Sequence, residues 1–463
     1  MVDKRIVVGL LVLALVGLAA GCGGGGEQRS SDGDRALRVW TQENQPDRVR
    51  ATEANVAEFA RATGLRVELT AIGDDELTDR VADAAKSGRL PDVMQLPMAS
   101  AHSYARDGTL NRDAAQDVVD KLGEETFSAR ALSLLTSDGT VTAVPSDGWG
   151  QMLIYRRDMF AEAGLRAPRT LEDVRRAARR LHDDRRGVAG VALATAPSHF
   201  TAESFEHIAL AAGCQLLGDG GDVTLVSPEC EYAFELYLDL ARNYAVRGTQ
   251  DVESTRDAYF AGRAAMIFWS PFLLDALAGL RDDAVPSCSQ CLRDSAYLAR
   301  NSGLVGPLAG PTREAAQYGT VSTWGITAGG DLEGAQRFVA YMMSDGYLRW
   351  LALSPQGKYP IRFGDRAEPD RYVNGWAGLQ SGVERKAPLR RFYSESSIES
   401  IGAGARNFQR WGFEQGGAVL LGAIEDSEPI AEALAAGITG DGDAVSVARA
   451  AQAAVEKLDA GLE

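Results

Sequence analysis

The chain has little with which to do covalent chemistry. No G-x-S-x-G elbow, H-E-x-x-H zinc motif, phosphate-cradling glycine loop or dinucleotide fingerprint occurs in it. Histidine is scarce: His102, His182, His199 and His207 are the only four, and they form no ligand spacing, so nothing here implies a metal or cofactor. Basic charge is also short. Lys and Arg number 48 against 64 Asp and Glu, a net −16 that argues against nucleic acid as a partner and against general adhesion to anionic lipid. Beyond the first 21 residues no apolar run approaches the roughly 20 residues of a spanning helix. The many acids leave a glycosidase pair open, because only separation in space would reveal one.

What is present begins with a leader. Lys4 and Arg5 precede an almost wholly apolar run, Ile6 to Leu18, followed by Ala19, Ala20, Gly21 and Cys22. Residues 1–21 therefore read as a secretory signal peptide. The junction resembles a bacterial lipobox with Ala19 where Leu is usual, which makes Cys22 the expected lipidation site; a plain signal peptide is the alternative. Removing the leader's one acid and two bases takes the net charge from −16 to −17. Residues 22–36, rich in Gly, Ser and Asp, cannot bury enough apolar surface to fold and read as a tether. About 440 residues follow, enough for two substantial cores.

Four further cysteines, Cys214, Cys230, Cys288 and Cys291, are an even number suited to an oxidising compartment. Three disulfide connectivities are possible. Local pairing, Cys214 with Cys230 and Cys288 with Cys291, is preferred over a redox or half-zinc reading of Cys288 to Cys291, whose flanking Pro286 and Ser287 suit a polar loop.

Strand and helix signals alternate from Leu37 to Leu96, the spacing of a parallel open sheet. Ligands in such sheets bind beyond the carboxyl ends of the strands, which selects 41–43, 73–75 and 95–98. The basic run Arg175, Arg176, Arg179, Arg180, Arg185 and Arg186 lies among Glu172, Asp173, Asp183 and Asp184, and reads as a salt-bridged solvent face.

The segment VPSDGWGQMLIYRRDMF, 144–160, closes one apolar run and opens another, with Asp147, Gly148 and Trp149 between them. It resembles the crossing segment of family 1 extracellular solute-binding proteins, the sugar-type receptors of ABC importers. YFAGRAAMIFWSP (259–271), the Gly303 to Pro311 loop and Gly357 to Arg362 add to the resemblance. It implies an α/β, two-lobe periplasmic-binding-protein-like fold with an interlobe ligand cleft and several hinge crossings. Lobe 1 is expected over 37–146 with 271–322, and lobe 2 over 147–270 with 323–463. A third crossing is expected at Val321 to Ile326.

On this reading the ligand-binding set is Glu43, Gln95, Asp147, Trp149, Trp269, Trp324, Arg362 and Trp411, with Trp40 a further candidate. Indole faces cover the C–H face of a sugar, while carboxylate, amide and guanidinium groups bond its hydroxyls. The implied protein is a monomeric, lipid-anchored receptor, not an enzyme, outside the cytoplasmic membrane. It captures a carbohydrate, an oligosaccharide by preference, and delivers it to ABC permease subunits. The alternatives are a receptor for a polyol, amino acid or peptide, and an exported carbohydrate-active enzyme.

Overall fold

The computed structural model describes residues 35–73, 76–311 and 314–462. The leader, Cys22 and all but the last two tether residues lie outside them. Strands β1 (Leu37–Thr41), β2 (Val67–Ala71) and β3 (Val93–Pro97) are separated by helices Pro46–Thr63 and Leu77–Lys86. Pro46 starts the first helix with its φ already fixed, and Gly64, at φ 75°, ends it in the left-handed region. Leu37, Val39 and Thr41 alternate inward, and β1 runs parallel to both β2 and β3.

A hairpin of β4 (Thr136–Ser137) and β5 (Thr140–Val141) leads into β6 (Val144–Gly150). One residue later β7 (Met152–Arg156) begins, in a different sheet. Strands β8 (Met266–Trp269) and β9 (Ser302–Val305) flank β7. Strands β10 (Gly319–Ile326) and β11 (Tyr359–Pro360) return to the first sheet. Its order is β11-β6-β10-β3-β1-β2, and that of the smaller sheet is β8-β7-β9. Each sheet carries its own helices, so there are two lobes joined by several crossings.

The expected lobe boundaries need correction from residue 302 on, because β9, expected in lobe 1, pairs with β7 in the smaller sheet. Val321 to Ile326 is no crossing but the body of β10, hydrogen-bonded between β6 and β3; the crossing is the preceding 306–318. The helix Leu332–Met342 stays with lobe 1, where Phe338 packs edge-on against Phe59 at 5.2 Å. The chain passes to lobe 2 again after the helix Glu395–Asn407: the final helix, Ala444–Asp459, reaches Val226 through Gln452. The physical reason is that five of the eight β10 residues are Gly, Ser or Thr, so a strand buried throughout from Thr323 to Ile326 shows no apolar run to mark it as interior.

Disulfides join Cys214 to Cys230 and Cys288 to Cys291. Arg175 pairs with Glu172 and Glu235, and Arg176 with Asp173, on a solvent face. Among the described residues no helix is long and apolar enough to cross a membrane.

Candidate functional site

The carboxyl end of β1 delivers Glu43, and the first turn of the following helix delivers Arg48, 3.1 Å from it. Glu43 also meets the Lys358 ammonium at 2.6 Å, and Lys358 reaches Asp147 of β6 at 3.2 Å. All three are buried. Trp350 completes the group, its indole N–H donating to Asp147 at 2.6 Å and its ring lying 4.3 Å from the ammonium. Burial alone would raise the Glu43 carboxyl, but Lys358 and Arg48 outweigh it and hold it below the ordinary range. Burial pulls Lys358 down, and Asp147 with Glu43 more than reverses that. Glu43 is thus held ionised, and both acids are already paired with Lys358.

From this cluster a run of rings crosses to the second lobe. Arg48 lies over Phe272 at 5.4 Å, Phe272 meets Trp149 at 6.4 Å, and Trp149 meets Tyr318 at 5.7 Å. Tyr318 donates its hydroxyl to Glu203 on the helix His199–Ala212. Trp149 and Phe272 are half-buried. Beside them Phe200 packs on Trp269, the last residue of β8, at 4.5 Å.

The lobe 2 wall carries charge. Arg410 bonds Glu206 at 3.2 Å and Glu425 at 2.6 Å, with its guanidinium 4.9 Å from the Tyr318 ring. Burial pushes the Glu206 carboxyl up, and Arg410 only partly offsets it. His199 stands 3.3 Å from Glu203; against the desolvation that would lower it, Glu203 raises its imidazole to about 9. Between these groups is a cavity of about 20 Å³, room for about one water.

The structure brings Glu43, Asp147 and Trp149 to this junction, the first two bound to protein partners, while Trp269 is buried in a core cluster at the end of β8 against Phe200. Gln95, on β3, is buried within lobe 1, accepting from Thr41 Oγ1 at 2.7 Å and from the Gln42 N–H at 3.0 Å. Trp40 is half-buried on β1. Three expectations are corrected. Trp324 is fully buried in lobe 1 against Trp350 (4.9 Å) and Phe338 (6.0 Å), because β10 is an interior strand. Arg362 donates to Met343 O and Leu122 O at the carboxyl ends of two helices, where a cation satisfies orphan carbonyls. Trp411 turns into lobe 2, its indole donating to Cys214 O at 2.9 Å, and only borders the small cavity.

Arg48, Lys358, Phe272, Phe200, His199, Glu203, Tyr318 and Arg410 were not in the expected set. Phe272 was the most legible, since it follows Trp269-Ser270-Pro271 directly. Among the described residues no cluster of His, Cys, Asp and Glu could hold a metal. Ring faces, paired acids and a two-lobe junction suit binding a polar solute with apolar faces.

Comparison with known proteins agrees in fold and family. The family model described as "Bacterial extracellular solute-binding protein" matches residues 43–348. The putative ABC transporter periplasmic-binding protein YcjN of Escherichia coli (strain K12) is 27% identical over 372 residues, covering 78% of this chain and 80% of that protein. Maltose-bound MalE3 of T. maritima superposes with TM-score 0.68 at 17% identity, over 91% of this chain and 100% of that one. UgpB of Mycobacterium tuberculosis, in complex with glycerophosphocholine, gives TM-score 0.70 at 17% identity, over 93% and 100%. The shared architecture is the two-lobe periplasmic-binding-protein fold.

Proposed function

Because this chain belongs to the bacterial extracellular solute-binding proteins, the non-catalytic, sugar-type receptors of ABC importers, we propose that it captures a carbohydrate, an oligosaccharide by preference, between its lobes. It then hands the solute to permease subunits in the membrane, acting as a monomer. The observation that carries the sugar reading is the half-buried pair Trp149 and Phe272, between the Glu43–Arg48 edge and the Glu203–His199 edge. Rings of this kind cover the C–H faces of a pyranose, and charged groups at the margins bond its hydroxyls.

A thermal-shift screen over mono- and oligosaccharides, polyols and amino acids identifies the ligand, because whatever binds only the folded form raises its melting temperature. Calorimetric titration of Trp149→Ala with that ligand should then show binding weaker by about 1–3 kcal/mol. Unliganded stability should fall by less than in Trp324→Ala, a core control expected to lose about 3–5 kcal/mol. Unchanged affinity in Trp149→Ala would place the ligand elsewhere.

A second reading has its own support. Its support is the glycerophosphocholine held by UgpB, a solute that bears an ammonium, together with the acids Glu203 and Glu425 on the lobe 2 wall. A melting shift with cationic solutes and none with sugars would select it.

Cys22 carries the lipid in this proposal, and the tether spaces the lobes from the outer face of the cytoplasmic membrane. A multiply acylated cysteine is a stable anchor where one chain is marginal. Expressed in a bacterial host, Cys22→Ala should move the protein from the membrane to the soluble fraction; equal retention of the variant would count against the anchor.

A further inference from the structure

The helix Ala418–Ser427 touches two cavities that share no lining residue. Leu421, Ile424 and Glu425 border the small one beside Arg410. Its first turn, Ala418 to Leu420, opens instead into a cavity of about 520 Å³. Lobe 1 supplies one wall of this space through the end of the helix Met98–Arg106, the start of the helix Arg112–Leu122 and the β4–β5 hairpin; the end of the helix Ala444–Asp459 supplies another. The volume suits a small solute.

The lining offers hydrogen-bond donors. Gly417 precedes the helix and has no side chain to cap it, so the amides of the first turn lack a side-chain acceptor. Arg106 makes no hydrogen bond or ion pair with any described residue. Arg112 has one acid partner, Asp138 at 3.5 Å, which is itself 87% exposed. It also offers acceptors. The carboxylates of Asp138 and Asp459 line the space, and so does His102, only 8% exposed. His102 Nε2 donates to Leu134 O at 2.8 Å, since a carbonyl can only accept. Burial first, and Arg112 second, hold the imidazole below its ordinary value against that bond, so the ring is neutral and Nδ1 keeps its lone pair. Nδ1 meets no partner among the described residues.

A cavity lined by guanidinium groups and free first-turn amides together with carboxylates and a neutral imidazole suits a solute that carries both an anionic group and hydroxyls. We propose that this cavity is a second binding site, for a small hydroxylated carboxylate of the sugar-acid class. The carboxylate lies at the first turn of Ala418–Ser427 with Arg106 and Arg112, and the hydroxyls donate to Asp138, Asp459 and His102 Nδ1. Its walls come from both lobes, so occupancy bears on their relative position independently of the cleft.

The test is calorimetric titration of the purified protein with gluconate at constant ionic strength, beside sorbitol, which lacks the carboxylate, and acetate, which lacks the hydroxyls. Gluconate should bind saturably and at least about tenfold tighter than either. Arg106→Gln and Arg112→Gln should each weaken it by about tenfold, and Trp149→Ala should leave it unchanged. Arg106 is exposed and unpartnered, so its variant reports even if Arg112→Gln fails to fold. Absence of saturable gluconate binding overturns the proposal, as does equal binding of sorbitol or acetate. Binding lost in Trp149→Ala but kept in Arg106→Gln would assign gluconate to the cleft and overturn it equally.

Discussion

Lys358 holds an ammonium between Glu43 and Asp147, all three buried, in a place where each acid alone reads as a ligand contact. Nothing near Asp147 in the chain announces its partner, which lies 211 residues away. The acids were therefore legible in the sequence, and their neutralisation was not. Removing one member of a buried ionic group strands the others, at about 3–5 kcal/mol. Lys358→Met should cost about that much in urea denaturation, and Lys358→Met with Asp147→Asn should recover part of it. A loss below roughly 1 kcal/mol would mean that water replaces the ammonium. The Glu43 part has a defined pH sign. Its folded value is depressed, so its contribution is complete above the ordinary 4.5 and vanishes as pH falls through the depressed value.

At the scale of elements, what could be read depended on exposure. β1 alternates and the helix Pro46–Thr63 has both a proline start and a glycine stop, so the parallel β–α–β–α–β opening was legible almost residue by residue. The step into lobe 2 was expected at Asp147, but Asp147 to Gly150 stay in β6 of the first sheet and the chain steps across at Gln151. β10 was not legible. Buried on most of its length, it lacks period-two alternation, and Trp324 looked like a cleft ring when it packs under the helix Leu332–Met342. Tryptophans were over-read for the same reason: Trp324 and Trp411 are large rings near predicted loops, and only three-dimensional packing shows that lobe cores absorb them.

At the scale of the whole molecule, the lobes are joined where the chain leaves one sheet for the other, and closure of two lobes turns on such residues between sheets. Gly150 is the last residue of β6 and Gln151 leads into β7. The buried Gln317 side chain donates to Gln151 O at 2.9 Å and lies against Gly150, Gly306 and Gly404, so one amide ties two crossings to the helix Glu395–Asn407. A methyl group at Gly150 would stand 2.7 Å from Gln317 Nε2 and 2.9 Å from the Gly404 backbone, and backbone cannot turn aside as a side chain can. Gly150→Ala should therefore cost about 1–3 kcal/mol through overpacking. Because the strain falls at a crossing, the variant should also lose part of the ligand-induced contraction expected of a two-lobe receptor. Small-angle scattering with and without the ligand from the screen, beside a denaturant melt, measures both. Wild-type stability together with wild-type contraction would show that the glycine contact is slack and that closure pivots elsewhere. Lost stability with full contraction would confine the contact to holding the lobes together, without a part in how they move.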